Sequence, residues 1–161
     1  MSSGWQRRRA GGALPAAAGA LLAATVALAP VGAQADMASG WQAYTAGDYE
    51  TAVSEWLPLA EAGDYQAAYA LGMAFQIMGQ PGRAVPWYEQ AAQAGVTEAQ
   101  TLLGTIYARG DGVPRDLVRA YAWLQRAAEE KGPNAQLILD SIAGLMTAEE
   151  IEEAKGLLAE Q

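Results

Sequence analysis

Two stretches of this sequence occur twice, and they decide the fold. Residues 66–72 read QAAYALG and return at residues 98–104 as EAQTLLG, an offset of 32. Residues 84–92 read AVPWYEQAA and return at residues 120–128 as AYAWLQRAA, an offset of 36. Periods of this length are typical of stacked helical hairpins rather than of one irregular core. Because stacked hairpins present an extended surface to other molecules, the repeat also favours a binding function.

Glycine and proline divide the sequence from Asp36 onward into helical segments. Four predicted helices in succession end at a glycine, namely Gly47, Gly63, Gly79 and Gly95. Glycine just after a helix adopts the left-handed conformation without steric cost. Because the loops are short, neighbouring helices must run antiparallel. We predict eight helices and no strand, with helices over about 38–46, 48–62, 65–78, 82 or 83–94, 98–109, 116–131, 134–145 and 147–160.

Three helix starts carry a side chain suited to capping. Thr97 precedes the helix predicted from residue 98, and Asp116 precedes the helix that follows the loop at residues 110–114. Thr147 and Glu150 have the spacing of a capping box, in which the two residues satisfy each other's backbone amides. The sequence therefore predicts caps at Thr97, Asp116 and Thr147.

The repeated positions have a physical reason in helix packing. Small residues at a helix crossing let two helix axes approach to about 8 Å. Such residues recur in both helices of each predicted hairpin, as Leu71-Gly72 with Ala91-Ala92 and as Leu103-Gly104 with Ala127-Ala128. Four aromatic residues recur in register beside them. We predict that Phe75 and Tyr107 fill the adjacent space, and that Trp87 and Trp123 pack between successive hairpins.

Residues 99–128 match a known repeat pattern at about ten positions of fixed spacing. The matched residues are Ala99, Leu103, Gly104, Tyr107, Gly110, Gly112, Asp116, Ala120, Trp123, Ala127 and Ala128. On these residues the sequence resembles a Sel-one-like repeat, a relative of the tetratricopeptide repeat. The Gly-x-Gly-Val-Pro loop at residues 110–114 and the Ala-Ala pair distinguish it from an ordinary tetratricopeptide repeat.

The resemblance extends in both directions with fewer matches. A second unit without the long loop matches at Ala67, Leu71, Gly72, Phe75, Trp87, Ala91 and Ala92. We place repeat units at about 38–63, 65–95 and 97–131, with a terminal hairpin over 134–160. The resemblance implies an all-α fold, a right-handed superhelical α-solenoid of about three antiparallel helical hairpins plus a C-terminal capping helix. It also implies a concave face and a role in assembling or regulating other proteins, commonly in the bacterial envelope.

The first 35 residues have the features of an export signal. Arg7, Arg8 and Arg9 precede an apolar stretch over residues 16–29, and residues 33–35 read AQA, a small-x-small cleavage site. The apolar stretch is shorter than the roughly 20 residues that a spanning helix needs. We expect a signal peptide over residues 1–35 with cleavage after Ala35. The mature repeat domain, residues 36–161, would then be periplasmic or secreted and have no membrane span.

Charge and composition exclude several classes of function. All 18 acidic residues but only seven of the ten basic residues lie in residues 36–161, a formal charge of −11 (7 − 18). An acidic chain is unsuited to nucleic acid and to anionic membranes, which attract basic surfaces. The sequence contains no cysteine and no histidine, so it lacks thiol nucleophiles, thiolate ligands and the commonest general base. We expect no catalytic residue, no metal and no cofactor.

Residues outside the repeat pattern are the candidates for partner binding. Tyr65, Tyr69 and Tyr121 have no aromatic counterpart one unit away, and aromatic anchors are favoured at interfaces. Glu149 and Glu153 belong to an acidic cluster near the C-terminus, which would suit a basic partner. These five residues are our predicted partner-binding positions.

Three functions remain open from the sequence. The first is a non-catalytic adaptor or scaffold that binds another protein, of unknown identity, on its concave surface. The second is self-association through an apolar face of the last helix, formed by Ile151, Ala154, Leu157 and Leu158. The third is a glycan-acting enzyme, which would need two carboxylates facing each other across a cleft. We expect the first.

Overall fold

The computed structural model of this protein describes the backbone of residues 36–159 and the side chains up to residue 157. The predicted export signal lies outside the described residues. The described chain forms eight helices and no strand, as the sequence predicts. They are α1 (Met37–Ala46), α2 (Tyr49–Glu61), α3 (Tyr65–Ile77), α4 (Pro81–Gln93), α5 (Thr97–Arg109), α6 (Leu117–Glu129), α7 (Ala135–Ala143) and α8 (Ala148–Ala159).

Left-handed glycines end or follow the first four helices. Gly47, Gly63, Gly79 and Gly95 have φ angles of 83°, 98°, 71° and 90°. A side chain is strained in this conformation, and glycine is not. The four predicted helix ends are thus confirmed. Each turn reverses the chain within three residues, which brings successive helices side by side.

Two of the three predicted caps are confirmed, and one is wrong. The Asp116 carboxylate accepts a hydrogen bond from the Arg119 backbone N–H at 2.9 Å. At α8, the Thr147 N–H donates to Glu150 Oε2 at 2.8 Å, and the Glu150 N–H donates to Thr147 Oγ1 at 3.2 Å. Thr97 does not cap α5, because that helix begins at Thr97 itself and its capping position is Val96.

The Thr97 hydroxyl instead joins the two ends of a hairpin. It donates to Glu130 Oε2 at 2.8 Å, and Glu130 is the capping residue at the end of α6. The two residues are 33 positions apart. A cap predicted from local sequence is therefore replaced by a contact that only the folded hairpin creates.

The helices stack in chain order as an α-solenoid. Helices α1 and α2, α3 and α4, and α5 and α6 form hairpins, and each hairpin packs against the next. We predicted a terminal hairpin over 134–160, but α7 and α8 both pack against α6. Ala154 of α8 is fully buried, so α8 covers the end of the array. The described part of the chain contains no helix long and apolar enough to cross a membrane.

Glycines on the first helix of each hairpin make room for a large side chain on the second. A Cβ added at Gly72 would lie 2.5 Å from ring atoms of Tyr88, and one added at Gly104 would lie 2.5 Å from Cγ of Leu124. In the same way Gly40 faces the Trp56 indole. Spacings of 32 residues separate Gly40, Gly72 and Gly104. The first hairpin is thus built like the other two despite its divergent sequence.

Phe75 and Tyr107 are buried beside these close contacts, as predicted. Tyr88 and Leu124 are fully buried, whereas the tryptophans before them are more exposed. Trp123 is 7% exposed and Trp87 is half-buried at the edge of the core. Most other repeat positions are buried, but Asp116, Gly110, Gly112 and Ala128 are not. The residue after each tryptophan, rather than the tryptophan itself, fills the centre of its hairpin.

A groove along the odd-numbered helices

Three adjoining depressions form one continuous groove along α1, α3, α5 and α7. The first lies at α1, α3 and the start of α5. The second shares Tyr69 and Glu98 with the first. The third lies between the end of α5 and α7, and it shares Thr105 and Ile138 with the second. We call this surface the odd-helix groove.

The odd-helix groove collects the exposed apolar side chains of the molecule. Among the described residues, five large hydrophobic side chains are exposed, and four of these line the groove. The exposed fractions are 37% for Trp41, 46% for Tyr65, 72% for Leu137 and 65% for Leu145. Only Ile77 lies elsewhere. Single exposed apolar side chains are common on protein surfaces, but several gathered on one surface indicate an interaction site.

Charge is distributed unevenly between the groove and the rest of the chain. Helices α1 and α3 contain no charged residue at all. In the described part of the groove the one carboxylate is Glu98, at the junction of the first two depressions. Arg109 and Arg115 line the third depression. The groove thus runs from a neutral aromatic end, past one carboxylate, to an end with two arginines.

The aromatic end of the groove is held by its neighbours. The Trp41 ring packs edge-on against Tyr44 and Trp56, with ring centroids 5.5 and 4.9 Å away. The Trp56 indole N–H donates to the Met37 carbonyl at 3.3 Å, which ties this cluster to the start of α1. Because Trp41 already packs against two rings, its side chain has less conformational entropy to lose when a ligand binds.

Tyr69 joins the groove to the protein core. Its ring lies 6.0 Å from that of Tyr88, and it lines both the first and the second depression. Burial raises the pKa of the Tyr69 hydroxyl above its usual value, and the charge of Glu98 and then Tyr44 raise it further. At neutral pH the hydroxyl therefore remains protonated beside Glu98 and can donate a hydrogen bond to a ligand.

The predicted partner-binding residues fall into separate places. Tyr65 and Tyr69 line the groove. Tyr121 is half-buried on α6, and Glu149 and Glu153 are exposed on α8. The lining of the three groove depressions includes none of these last three residues. The structure thus brings two of the five candidates into one surface.

Sequence reasoning missed most of the groove. The missed lining residues include Trp41, Glu98, Leu102, Arg109, Arg115, Leu137, Ile138 and Leu145. One signal in the sequence would have located the aromatic end. In a strongly acidic chain, α1 and α3 are free of charge, and both retain aromatic residues beyond those the core uses.

The described residues do not show the carboxylate arrangements that a metal site or a glycosidase site in the groove would need. In the described region no three carboxylates are grouped so as to hold a metal ion. Glycoside hydrolysis requires a pair of carboxyl groups roughly 5–9.5 Å apart. Along the described groove, Glu98 has no such carboxylate opposite it in the lining.

Comparison with known proteins identifies the repeats. The family model described as the Sel1 repeat matches residues 65–96 and 97–131. The chain is a Sel1-like repeat protein. It belongs to the superfamily of tetratricopeptide-like repeats, and Sel1 repeats are generally non-catalytic modules that mediate protein–protein interactions.

Two solved structures are similar to this Sel1-like repeat protein. One is c5321, described as a protective antigen present in uropathogenic Escherichia coli strains and displaying an SLR fold; it is 28% identical, with a TM-score of 0.67 over 78% of this chain. The other is a Sel1 repeat protein from Oxalobacter formigenes, 26% identical, with a TM-score of 0.58 over 65% of this chain. This chain covers 28% and 44% of those two chains.

One curated relative also matches. It is the chitin synthase regulator SKT5 of Malassezia restricta, which is 32% identical over an alignment of 92 residues that covers 53% of this chain. This chain spans 6% of the length of that protein. The likeness therefore concerns a small part of that protein.

Proposed function

We propose that this protein is a non-catalytic adaptor or scaffold of the bacterial periplasm that binds a segment of another protein along the odd-helix groove. This groove would be the concave surface that the family resemblance implies. The observation that carries the proposal is the exposure of Trp41, Tyr65, Leu137 and Leu145 on this one surface. Covering such side chains contributes roughly 25 cal/mol for each Å² of apolar surface removed from water.

The shape of the groove suits a chain segment better than a small molecule. Its three depressions have volumes of about 240, 320 and 370 Å³ and follow one another along four helices. One is below, and the other two are only slightly above, the lower end of the range of about 300–1,000 Å³ that is typical of small-molecule pockets. A peptide places one or two side chains in each depression, and its backbone follows the groove.

Site-specific crosslinking tests the groove directly. A photoreactive phenylalanine is placed at Trp41, Tyr65 or Leu137, and the same residue at Ile77 is the matched control. Ile77 is large, apolar and 52% exposed, but it lies off the groove. We expect one common protein adduct in cells from the three groove positions and none from Ile77. Equal adducts at Ile77, or no adduct at any groove position, would contradict the proposal.

Self-association has less support than binding another protein. The apolar face of α8 was its predicted seam, but α8 packs against α6, with Ala154 fully buried and Ile151 and Leu157 half-buried. The same crosslinking experiment separates the two cases, because an adduct between two copies has twice the mass of the chain.

The periplasmic part of the proposal rests on the sequence of residues 1–35. If that segment is a cleaved signal, the exported protein begins at Asp36, which intact-mass measurement of the periplasmic fraction detects. Substituting Ala35→Arg places a large charged residue at the small-x-small site and is expected to leave the precursor uncut. Gln34→Ala is the control, because the middle position of the site tolerates many residues. Normal processing of the Ala35→Arg variant would contradict the predicted cleavage site.

A further inference from the structure

Two arginines stand out at one end of the groove of this acidic protein. Arg109 and Arg115 are both exposed and line the third depression. In the described region the two ion pairs are Arg119 with Asp116 and Lys155 with Glu152. Neither groove arginine is therefore paired with a described carboxylate, although residues 36–161 carry 18 acidic side chains.

The fold holds Arg115 in place. Its Nε–H donates to the Ala108 carbonyl at 3.0 Å, which keeps the guanidinium against the end of α5. The loop that carries it is bonded at both ends to the same helix, because the Asp111 N–H donates to the Ile106 carbonyl and the Asp116 N–H donates to the Tyr107 carbonyl. This loop is the long loop of the third repeat unit. Its geometry presents a positioned cation to the groove.

Apolar side chains form the opposite wall of the same depression. Leu137 and Leu145 extend from α7 and the residues after it, and they are 72% and 65% exposed. A ligand complementary to this end of the groove has an anionic group that contacts the arginines and apolar surface that contacts the leucines. Arginine binds carboxylates through two parallel hydrogen bonds, so a carboxylate fits this requirement.

From this juxtaposition we infer that the groove selects partner segments in which an aspartate or glutamate side chain is flanked by apolar residues, with the acidic side chain bound at Arg109 and Arg115. The inference rests on the proposed function, because it assumes that the groove receives a segment of another protein. Glu98 repels a second acidic residue placed at the centre of the groove, and it accepts a basic or hydrogen-bond-donating one. Charge therefore sets the direction in which the segment lies.

The test begins with a random library of twelve-residue peptides displayed on phage and selected on the immobilised full chain. We expect the enriched peptides to combine apolar residues with one aspartate or glutamate. An enriched peptide is then synthesised in two forms, with the acidic residue and with its amide counterpart. Fluorescence anisotropy is expected to show that the acidic form binds at least tenfold more tightly, and that added salt narrows the difference.

Variants assign the selectivity to the arginines. Arg109→Gln with Arg115→Gln is expected to remove the preference, so that the acidic and amide forms bind with similar affinity. Arg109→Gln alone keeps the anchoring contact of Arg115 and is expected to remove part of the preference, so the result does not depend on an altered loop. Arg126→Gln on α6 is the matched control, because Arg126 does not line the groove, and it is expected to change nothing.

The outcomes distinguish this inference from the proposed function. If apolar peptides bind in a way that Trp41→Ala abolishes, but without preference for an acidic residue, the inference is overturned and the groove remains the binding surface. If the preference follows a free C-terminal carboxylate, and an amidated peptide loses it, the inference is overturned in favour of terminus recognition. If no peptide binds, or binding is unaffected by Trp41→Ala and Leu137→Ala, both proposals fail.

Discussion

The ring of Tyr88 on α4 lies directly over Gly72 on α3, so close that a Cβ at residue 72 would come within 2.5 Å of two ring carbons. Gly104 and Leu124 repeat this relationship in the next hairpin. The same glycine contact thus accommodates a tyrosine in one hairpin and a leucine in the next, because the glycine has no side chain and leaves space for either. The glycine and its partner side chain together set the distance between the two helices of the hairpin.

Gly72→Ala is predicted to destabilise the protein, because the new methyl group must displace the buried Tyr88 ring. Overpacking of this kind costs about 1–3 kcal/mol, which a urea unfolding curve measures. The matched control is Gly156→Ala in α8, where a Cβ would meet no atom within 4 Å. That substitution is expected to be neutral or to stabilise by up to about 1 kcal/mol, because alanine favours helix more than glycine does. Equal effects of the two substitutions would contradict the assigned packing.

Tyr88→Phe is predicted to have an effect that depends on pH. At neutral pH the change removes the hydrogen bond that the Tyr88 hydroxyl donates to Gln76 Oε1 at 2.7 Å, and we expect a loss of about 1 kcal/mol. Burial, and to a lesser degree Tyr69 and Tyr44, raise the pKa of Tyr88 far above its usual value. The folded protein thus retains this proton at pH values where the unfolded chain has lost it.

The sign of the alkaline effect follows from this pKa difference. Below about pH 10 both states are protonated, and the ionisation of Tyr88 contributes nothing to the pH dependence. Above about pH 10 the unfolded state binds fewer protons than the folded state, so the stability of the parent protein falls as the pH rises. The Tyr88→Phe variant has no hydroxyl to ionise, so its stability does not fall for this reason. The difference in unfolding free energy between the parent and the variant should therefore be smaller at pH 11 than at pH 8. A gap that stays constant would mean that the hydroxyl is not buried.

Leu137 and Leu139 offer a direct comparison of groove and core. They lie two residues apart on α7, yet Leu137 is 72% exposed in the groove and Leu139 is 7% exposed in the core. Leu139→Ala is predicted to cost about 2–5 kcal/mol of unfolding free energy. Leu137→Ala should change it by less than about 0.5 kcal/mol, while weakening peptide binding. If Leu137→Ala is as destabilising as Leu139→Ala, then α7 is rotated relative to the arrangement described.

Asp116→Ala is predicted to destabilise α6 by removing its N-terminal cap. The lost hydrogen bond to the Arg119 N–H has a typical value of about 0.5–2 kcal/mol. Asp111→Ala in the same loop is the control, because the Asp111 side chain caps no helix. Thermal unfolding followed by circular dichroism is expected to show a lower midpoint for Asp116→Ala alone. An equal shift in both variants would point to general loop strain rather than to the cap.

The sequence predicted the elements of the fold because their signals are local. Glycine ends helices through its own φ angle, and Asp116 or Thr147 caps a helix through an amide at most three residues away. The 32-residue and 36-residue offsets then predicted that the helices stack as repeated hairpins. Thr97 shows the limit of this reasoning. It was predicted to cap α5, but its hydroxyl donates a hydrogen bond to Glu130, which is distant in the sequence.

The tertiary structure decided the rest. The groove is lined by Trp41 of α1, Glu98 of α5 and Leu137 of α7, and no local sequence pattern relates these residues. They share one surface only because the hairpins stack with their odd-numbered helices side by side. We predicted that α8 would form a terminal hairpin with α7, but in the folded protein α8 packs on α6. Local conformation follows from each residue and its near neighbours, whereas a binding groove is made by residues that only packing brings into contact.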